Sequence, residues 1–358
     1  MRARAFVLCS VSLAAQALPA HALTPKRGRS APTPQSSRLS PPERAAVGAV
    51  GASWVALGAR TFDAAASREA VGALGVATAT FEDNIREPAA GFLELTSPLF
   101  VLQGVLLLAL AANVFEESPK DAARVSSSIA LASATTLAAL ALAFVAGTPI
   151  ESGFEVITDP LFITVAVALK AAGSTGEDAF ALIRGDVVEL VTDGGSTPED
   201  SYARILATFY RGSCLVGILV AASFIFSPVN PIGIFDTESP ATHFFRALTG
   251  ISIAFVLAPA QSILWRAAKA GELGANAPRA LNAALGLASG LLVVDGRLQV
   301  LEGTRQFAAL DPSSAIAKAV ELGDIGRSVT NTNAAFSVGL VVALFYVAQA
   351  VAPPARRV

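Results

Sequence analysis

Apolar residues in this chain run on in long blocks, with no alternation and no single stripe. Six blocks stand out: Ser97–Val114, Ile129–Val145, Gly212–Phe226, Ala247–Trp265, Leu281–Val294 and Ala334–Ala352. Blocks near 18–20 residues have the length at which a helix crosses about 30 Å of hydrocarbon. The pattern predicts an all-α, polytopic helical membrane bundle. Three weaker segments widen the expected number of spans to six to eight. Ala45–Ala59 follows the helix-start signal Pro41-Pro42, carries Gly48, Gly51 and Gly58, and is closed by Arg60. Ser67–Thr80 is interrupted by Gly72 and Gly75, and Leu161–Leu169 follows Asp159-Pro160, which reads as a helix start.

The longest polar connection, residues 173–202, has a pattern of its own. Phe180, Ile183, Val187, Leu190 and Val191 fall at helical spacing with Glu177, Asp178, Asp186 and Glu189 between them. This predicts an acidic amphipathic helix beside the bundle, ended by Gly194-Gly195. Thr197-Pro198-Glu199-Asp200 carries the capping signature of the next helix. Asp311-Pro312-Ser313 predicts a further short helix as far as Leu322.

Two stretches suggest an internal duplication. Phe92-x-x-Leu95-Thr96 opens one hairpin and Phe245-x-x-Leu248-Thr249 another. In each, an apolar run leads to a charged turn ending in arginine (Arg124, Arg279), then a second run closing at glycine (Gly147, Gly296). The phenylalanine-to-arginine separations are 32 and 34 residues. Copies of three spans would be inverted across the membrane, and copies of four would run parallel.

Composition narrows the chemistry more than it suggests any. The 358 residues are 53% hydrophobic and 15% charged, with net charge −2, which lacks the basic face of a nucleic-acid binder. Abundant Ala, Gly and Ser favour close helix packing. Two cysteines and two histidines occur, Cys9 and His21 near the start and Cys214 and His243 in the body. The body therefore cannot supply a bis-histidine haem site or a Cys/His zinc site, and no metal or cofactor is expected. No G-x-x-x-x-G-K-[ST], H-E-x-x-H or G-x-S-x-G is present, so no catalytic residue is expected either.

Residues 1–22 read as a signal peptide: Arg2 and Arg4, an apolar stretch from Ala5 to Leu18, and Ala20-His21-Ala22 as a small-x-small cleavage site. Residues 23–42 hold Lys26, Arg27, Arg29 and Arg38 among Ser, Thr and Pro and no acid, as a transit peptide does. Together they resemble the bipartite leaders of algae whose plastids arose by secondary endosymbiosis, although Ala22-Leu23 stands where Ala-Phe is commoner. That resemblance implies a plastid membrane, with the secretory pathway or plasma membrane as the alternative. Residues 43–358 then form the helical membrane domain. Glu82, Asn84 and Arg86 approach the chlorophyll-binding Glu-x-x-Asn-x-Arg pattern but are one residue too closely spaced and lie beside Pro88.

Few ionisable groups lie inside the apolar runs, where they are functional by default. Arg211, Arg246 and Arg266 stand at run ends beside Trp265 and read as interface anchors. Glu151, Glu155 and Asp159 read as a solvated segment, Asp295, Arg297, Glu302 and Arg305 as a solvated charged face, and Asn331 and Asn333 as helix caps. Within the fourth run, Pro259 breaks the helix and Gln261 brings an amide to the same depth, which makes them the candidate ligand-lining pair. Gly286-x-x-x-Gly290 is a candidate close helix contact. In a six-span count, the basic turns at 266–279 and the tail share one side, while Lys120 and Arg124 lie opposite. The expected function is a small-solute transporter in a lipid bilayer, or alternatively a structural or assembly factor with a membrane-protein partner.

Overall fold

In a computed structural model, residues 39–73, 88–145, 154–192, 200–226, 240–308 and 325–352 are described. The leader, residues 1–38, and the short helix expected at 311–322 lie outside them. The described residues are helices joined by short turns, with no strand among them. In chain order the elements are α1 (Pro41–Thr61), α2 (Ala64–Ala73), α3 (Pro88–Ala111), α4 (Pro119–Val145), α5 (Phe154–Ser174), α6 (Ala179–Thr192) and α7 (Ser201–Phe226). There follow α8 (Pro240–Ser252), a π turn (Ile253–Leu257), α9 (Ala258–Ala270), α10 (Asn276–Ala308) and α11 (Ile325–Val351).

Five helical segments are long and apolar enough to cross a membrane: Ala90–Ala111, Pro119–Val145, Ser201–Phe226, Thr242–Ala270 and Asn276–Arg297, the fourth running through the π turn. A shorter apolar stretch, Ser337–Val351, ends α11. The chain is an integral membrane protein, and its apolar helices meet the lipid.

Local sequence accounts for the helix ends. The Ser40 amide and hydroxyl both donate to Glu43 Oε2 at 2.8 Å, half of a capping box at the start of α1. Asp178 accepts from the Ala181 amide before α6, and Asp200 accepts from the Tyr202 and Ala203 amides before α7. Gly271, at φ 70°, closes α9 in the left-handed conformation that glycine adopts without penalty.

Glycines let α1 and α3 touch backbone to backbone. A β-carbon at Gly51 would lie 2.9 Å from the Gly104 carbonyl oxygen, one at Gly104 would lie 2.6 Å from that of Gly51, and one at Gly58 would lie 2.7 Å from that of Ser97. The pairing of 58 with 97 and 51 with 104 makes the two helices antiparallel. Helix α7 meets the α8–α9 rod in the same way: a β-carbon at Gly250 would lie 2.8 Å from the Ala221 carbonyl oxygen, and Cys214 Sγ donates to the Ala258 carbonyl at 3.3 Å. Between these pairs, α3 and α8 cross where the Thr96 and Thr249 hydroxyls are hydrogen-bonded at 2.7 Å. One threonine hydroxyl donates to the other, and the accepting one gives its own hydrogen to the carbonyl one turn back in its helix, Phe92 for Thr96 or Phe245 for Thr249.

Several sequence expectations change here. Pro160 lies inside α5, which starts at Phe154; the described part of Ser67–Thr80, as far as Ala73, belongs to α2, and the rest lies outside the described residues. Helix α10 runs through Gly296 to Ala308, so the second hairpin does not close at that glycine. Asn331 and Asn333 lie inside α11, one to two turns past its start. Arg124 and Arg266, on opposite sides in a six-span count, meet at one end of the bundle. Helices α1 and α5, too weakly apolar to enter that count, each reverse the chain once more.

Candidate functional site

The α8–α9 rod is broken where the sequence places Pro259. Proline has no N–H to give the carbonyl four residues back, and its ring collides with that carbonyl in a regular helix. The π turn at Ile253–Leu257 relieves this: the Ala258 amide reaches back five residues to the Ile253 carbonyl. One turn on, Gln261 is buried and its Nε2 donates to Tyr346 Oη of α11 at 3.1 Å. Tyr346 stacks on Tyr210 of α7, ring centroids 6.1 Å apart, and Tyr210 Oη donates to Asn282 Oδ1 of α10 at 2.7 Å. Four helices thus contribute one polar side chain each to a buried line. Gly217 lies beside it, and a β-carbon there would stand in ordinary contact, 3.6 Å from Gln261 Oε1. Gln261 Oε1 and Asn282 Nδ2 have no protein partner among the described residues. A buried amide that uses only half its hydrogen-bonding capacity can take a further polar ligand or a water.

A second polar centre lies at the end of the bundle where α9 meets α10. Asp186 of α6 accepts from Arg124 Nε of α4 at 2.9 Å and from Nη1 and Nη2 of Arg266 of α9. Asp121 also holds Arg124, at 2.8 Å, and Glu189 lies 3.4 Å from Lys269 Nζ. Arg211 donates to the Leu190 carbonyl at 3.1 Å, and the Trp265 ring has the Arg211 guanidinium 6.0 Å and the Lys269 ammonium 5.0 Å from its centroid. The acidic face of α6 is therefore turned inward onto the basic ends of its neighbours. Val187 and Val191, expected on the apolar inner face, are instead 54% and 67% exposed. Charge pairing in a partly buried setting outweighs the burial of two valines.

The sequence-predicted residues are distributed between these places. Pro259 and Gln261 belong to the broken rod; Arg211, Trp265 and Arg266 gather around Asp186 and α6. Arg246 is buried near the opposite end of the rod and bonded to His243 Nδ1 at 2.8 Å. Gly286 packs against α11, its β-carbon position 2.9 Å from a Val347 methyl, whereas Gly290 faces open space. Asp159 is exposed, Glu151 lies outside the described residues, and Asp295 is buried while Arg297 is exposed. Among the described residues no three His, Cys, Asp or Glu side chains converge as a metal site would require.

Sequence reasoning missed Tyr210, Tyr346 and Asn282, although each interrupts or borders an apolar run and two of the three tyrosines in the chain are among them. It also passed over Glu94, a carboxyl fully buried inside the first span. No family model, curated protein or solved structure matches the chain. Function therefore rests on this geometry alone.

Proposed function

We propose that the chain is a small-solute carrier of eight crossings, formed from two parallel four-helix copies, α1/α3/α4/α5 and α7/α8–α9/α10/α11. Register supports the duplication. Thr249 follows Thr96 by 153 positions, while Cys214 follows Gly51 and Ala221 follows Gly58 by 163. These are the residues that make the equivalent contacts on each side. Gly104 corresponds to Ala258, 154 positions on, so the second copy holds one residue more between its threonine and this contact. The π turn, which spends one residue more per hydrogen bond than an α turn, lies in that interval.

The observation that carries the transport reading is the broken rod and its half-used amides. Interrupted helices bearing polar groups line solute sites in many membrane carriers, and π turns recur at functional sites. In a cysteine-free background (Cys9→Ser, Cys214→Ser), Gln261→Cys would react with a membrane-impermeant thiol reagent, and bound solute would slow the reaction. Absence of reaction from either side would leave the line a closed packing device and end the transport reading.

An assembly role is the second reading, favoured by the outward valines of α6. A photocrosslinker at Val188, 54% exposed, would then capture one membrane-protein partner. The plastid is the proposed membrane, on the strength of residues 1–42. Deleting 1–22 or 23–42 from a tagged chain would each mislocalise it; an unchanged destination in both cases would contradict the plastid reading.

A further inference from the structure

A cavity of about 710 Å³ opens between α1, α5 and the α8 half of the broken rod, apart from Gln261 and its polar line. It follows α1 from Ala49 to Arg60, a length of about 16 Å at the helical rise. Trp54, Phe100, Phe244 and Phe245 form much of its wall. Trp54 is held rigid there, its Nε1 donating to Thr164 Oγ1 at 2.9 Å and its ring 5.1 Å from that of Phe100.

The wall contains hydroxyls, but their hydrogens are committed to the protein's own backbone. Ser53 donates to the Ala49 carbonyl, Thr61 to that of Leu57, Thr136 to that of Ala132 and Thr164 to that of Pro160. A polar solute would therefore find almost no donor here, and water needs two to four polar partners to settle in such a space. Arg60 and Glu69 face each other at 3.4 Å, so the charges among the described lining residues offset each other. The volume is that of a single drug-sized ligand, which argues against a two-chain phospholipid.

We infer that this cavity binds one elongated, uncharged, unsaturated lipophile of the isoprenoid type, entering from the bilayer between α1 and α5. The inference stands apart from the transport reading, because a resident lipophile is compatible with either function.

The test uses the full chain in detergent carrying Trp265→Phe, which leaves Trp54 as its only tryptophan, with retinol as a neutral polyene acceptor of tryptophan emission. Retinol should quench Trp54 saturably, and Ser53→Phe or Ala49→Phe, each adding bulk to the slot from α1, should weaken binding at least tenfold. Val341→Phe, on the lipid-facing side of α11, should leave it unchanged. Retinoic acid, the anionic twin, should bind at least tenfold more weakly. Quenching that rises linearly without saturation, or that survives both filling variants in folded protein, would overturn the proposal. So would equal binding of the acid, or full quenching by brominated phosphatidylcholine that retinol cannot displace.

Discussion

The hydroxyls of Thr96 and Thr249, 153 residues apart in the chain, are hydrogen-bonded to each other at 2.7 Å where α3 crosses α8. Each sits in the same Phe-x-x-Leu-Thr context. A hydroxyl pair inside a membrane bundle couples two helices by about 0.6 kcal/mol on average and by up to about 1.7. Thr96→Val and Thr249→Val should each destabilise the protein, and the double variant should lose less than the two single losses added together. Unfolding in mixed micelles, read as a double-mutant cycle, measures the coupling.

Asp186 joins three helices through two arginines that are 13% and 18% exposed. Removing its charge leaves both guanidiniums near each other without their shared partner. Asp186→Asn should cost about 2–5 kcal/mol and release α6 to protease. Asp186→Glu should retain part of the contact. Hydrogen exchange across residues 179–192 provides the readout.

Glycine substitutions should separate contact from open space. Gly51→Leu forces a side chain into the Gly104 backbone and should cost about 1–3 kcal/mol or more, the range for overpacking. Gly290→Ala meets nothing and should be neutral or stabilising by about 0.5–1 kcal/mol through helix propensity. Thermal unfolding of the two variants in one detergent compares them directly.

Tyr346→Phe should remove the acceptor of the Gln261 amide and leave the ring stack with Tyr210 intact. Loss of one neutral hydrogen bond predicts about 1 kcal/mol. Asn282→Ala should cost more, because it also opens a void beside Tyr210.

The spans were legible because uninterrupted apolar length is a property of local sequence. Helices α1 and α5 were only weakly legible. Glycine, alanine and a proline dilute their apolar character, and their place in the bundle depends on contacts such as Gly51 with Gly104 that only a fold supplies. Pro259 announced the break in the rod, while the π turn beside it is a one-residue insertion that local sequence does not mark. The inward turn of α6 escaped periodicity for a different reason: its valines and acids have equal claims to helical spacing, and the arginines that decide between them lie 62 and 80 residues away. The cavity left no sequence signal, since it is defined by where side chains stop.

The parallel two-copy topology is the claim on which the rest depends, and the side of the membrane occupied by two turns tests it. Single cysteines would be placed at Glu117, Glu272 and Asp63 in a background lacking Cys9 and Cys214, and labelled with an impermeant reagent in sealed vesicles. Glu117→Cys and Glu272→Cys should label from the same side, and Asp63→Cys from the other. Labelling of Glu117→Cys and Glu272→Cys from opposite sides would contradict the eight-crossing arrangement and with it the parallel copies.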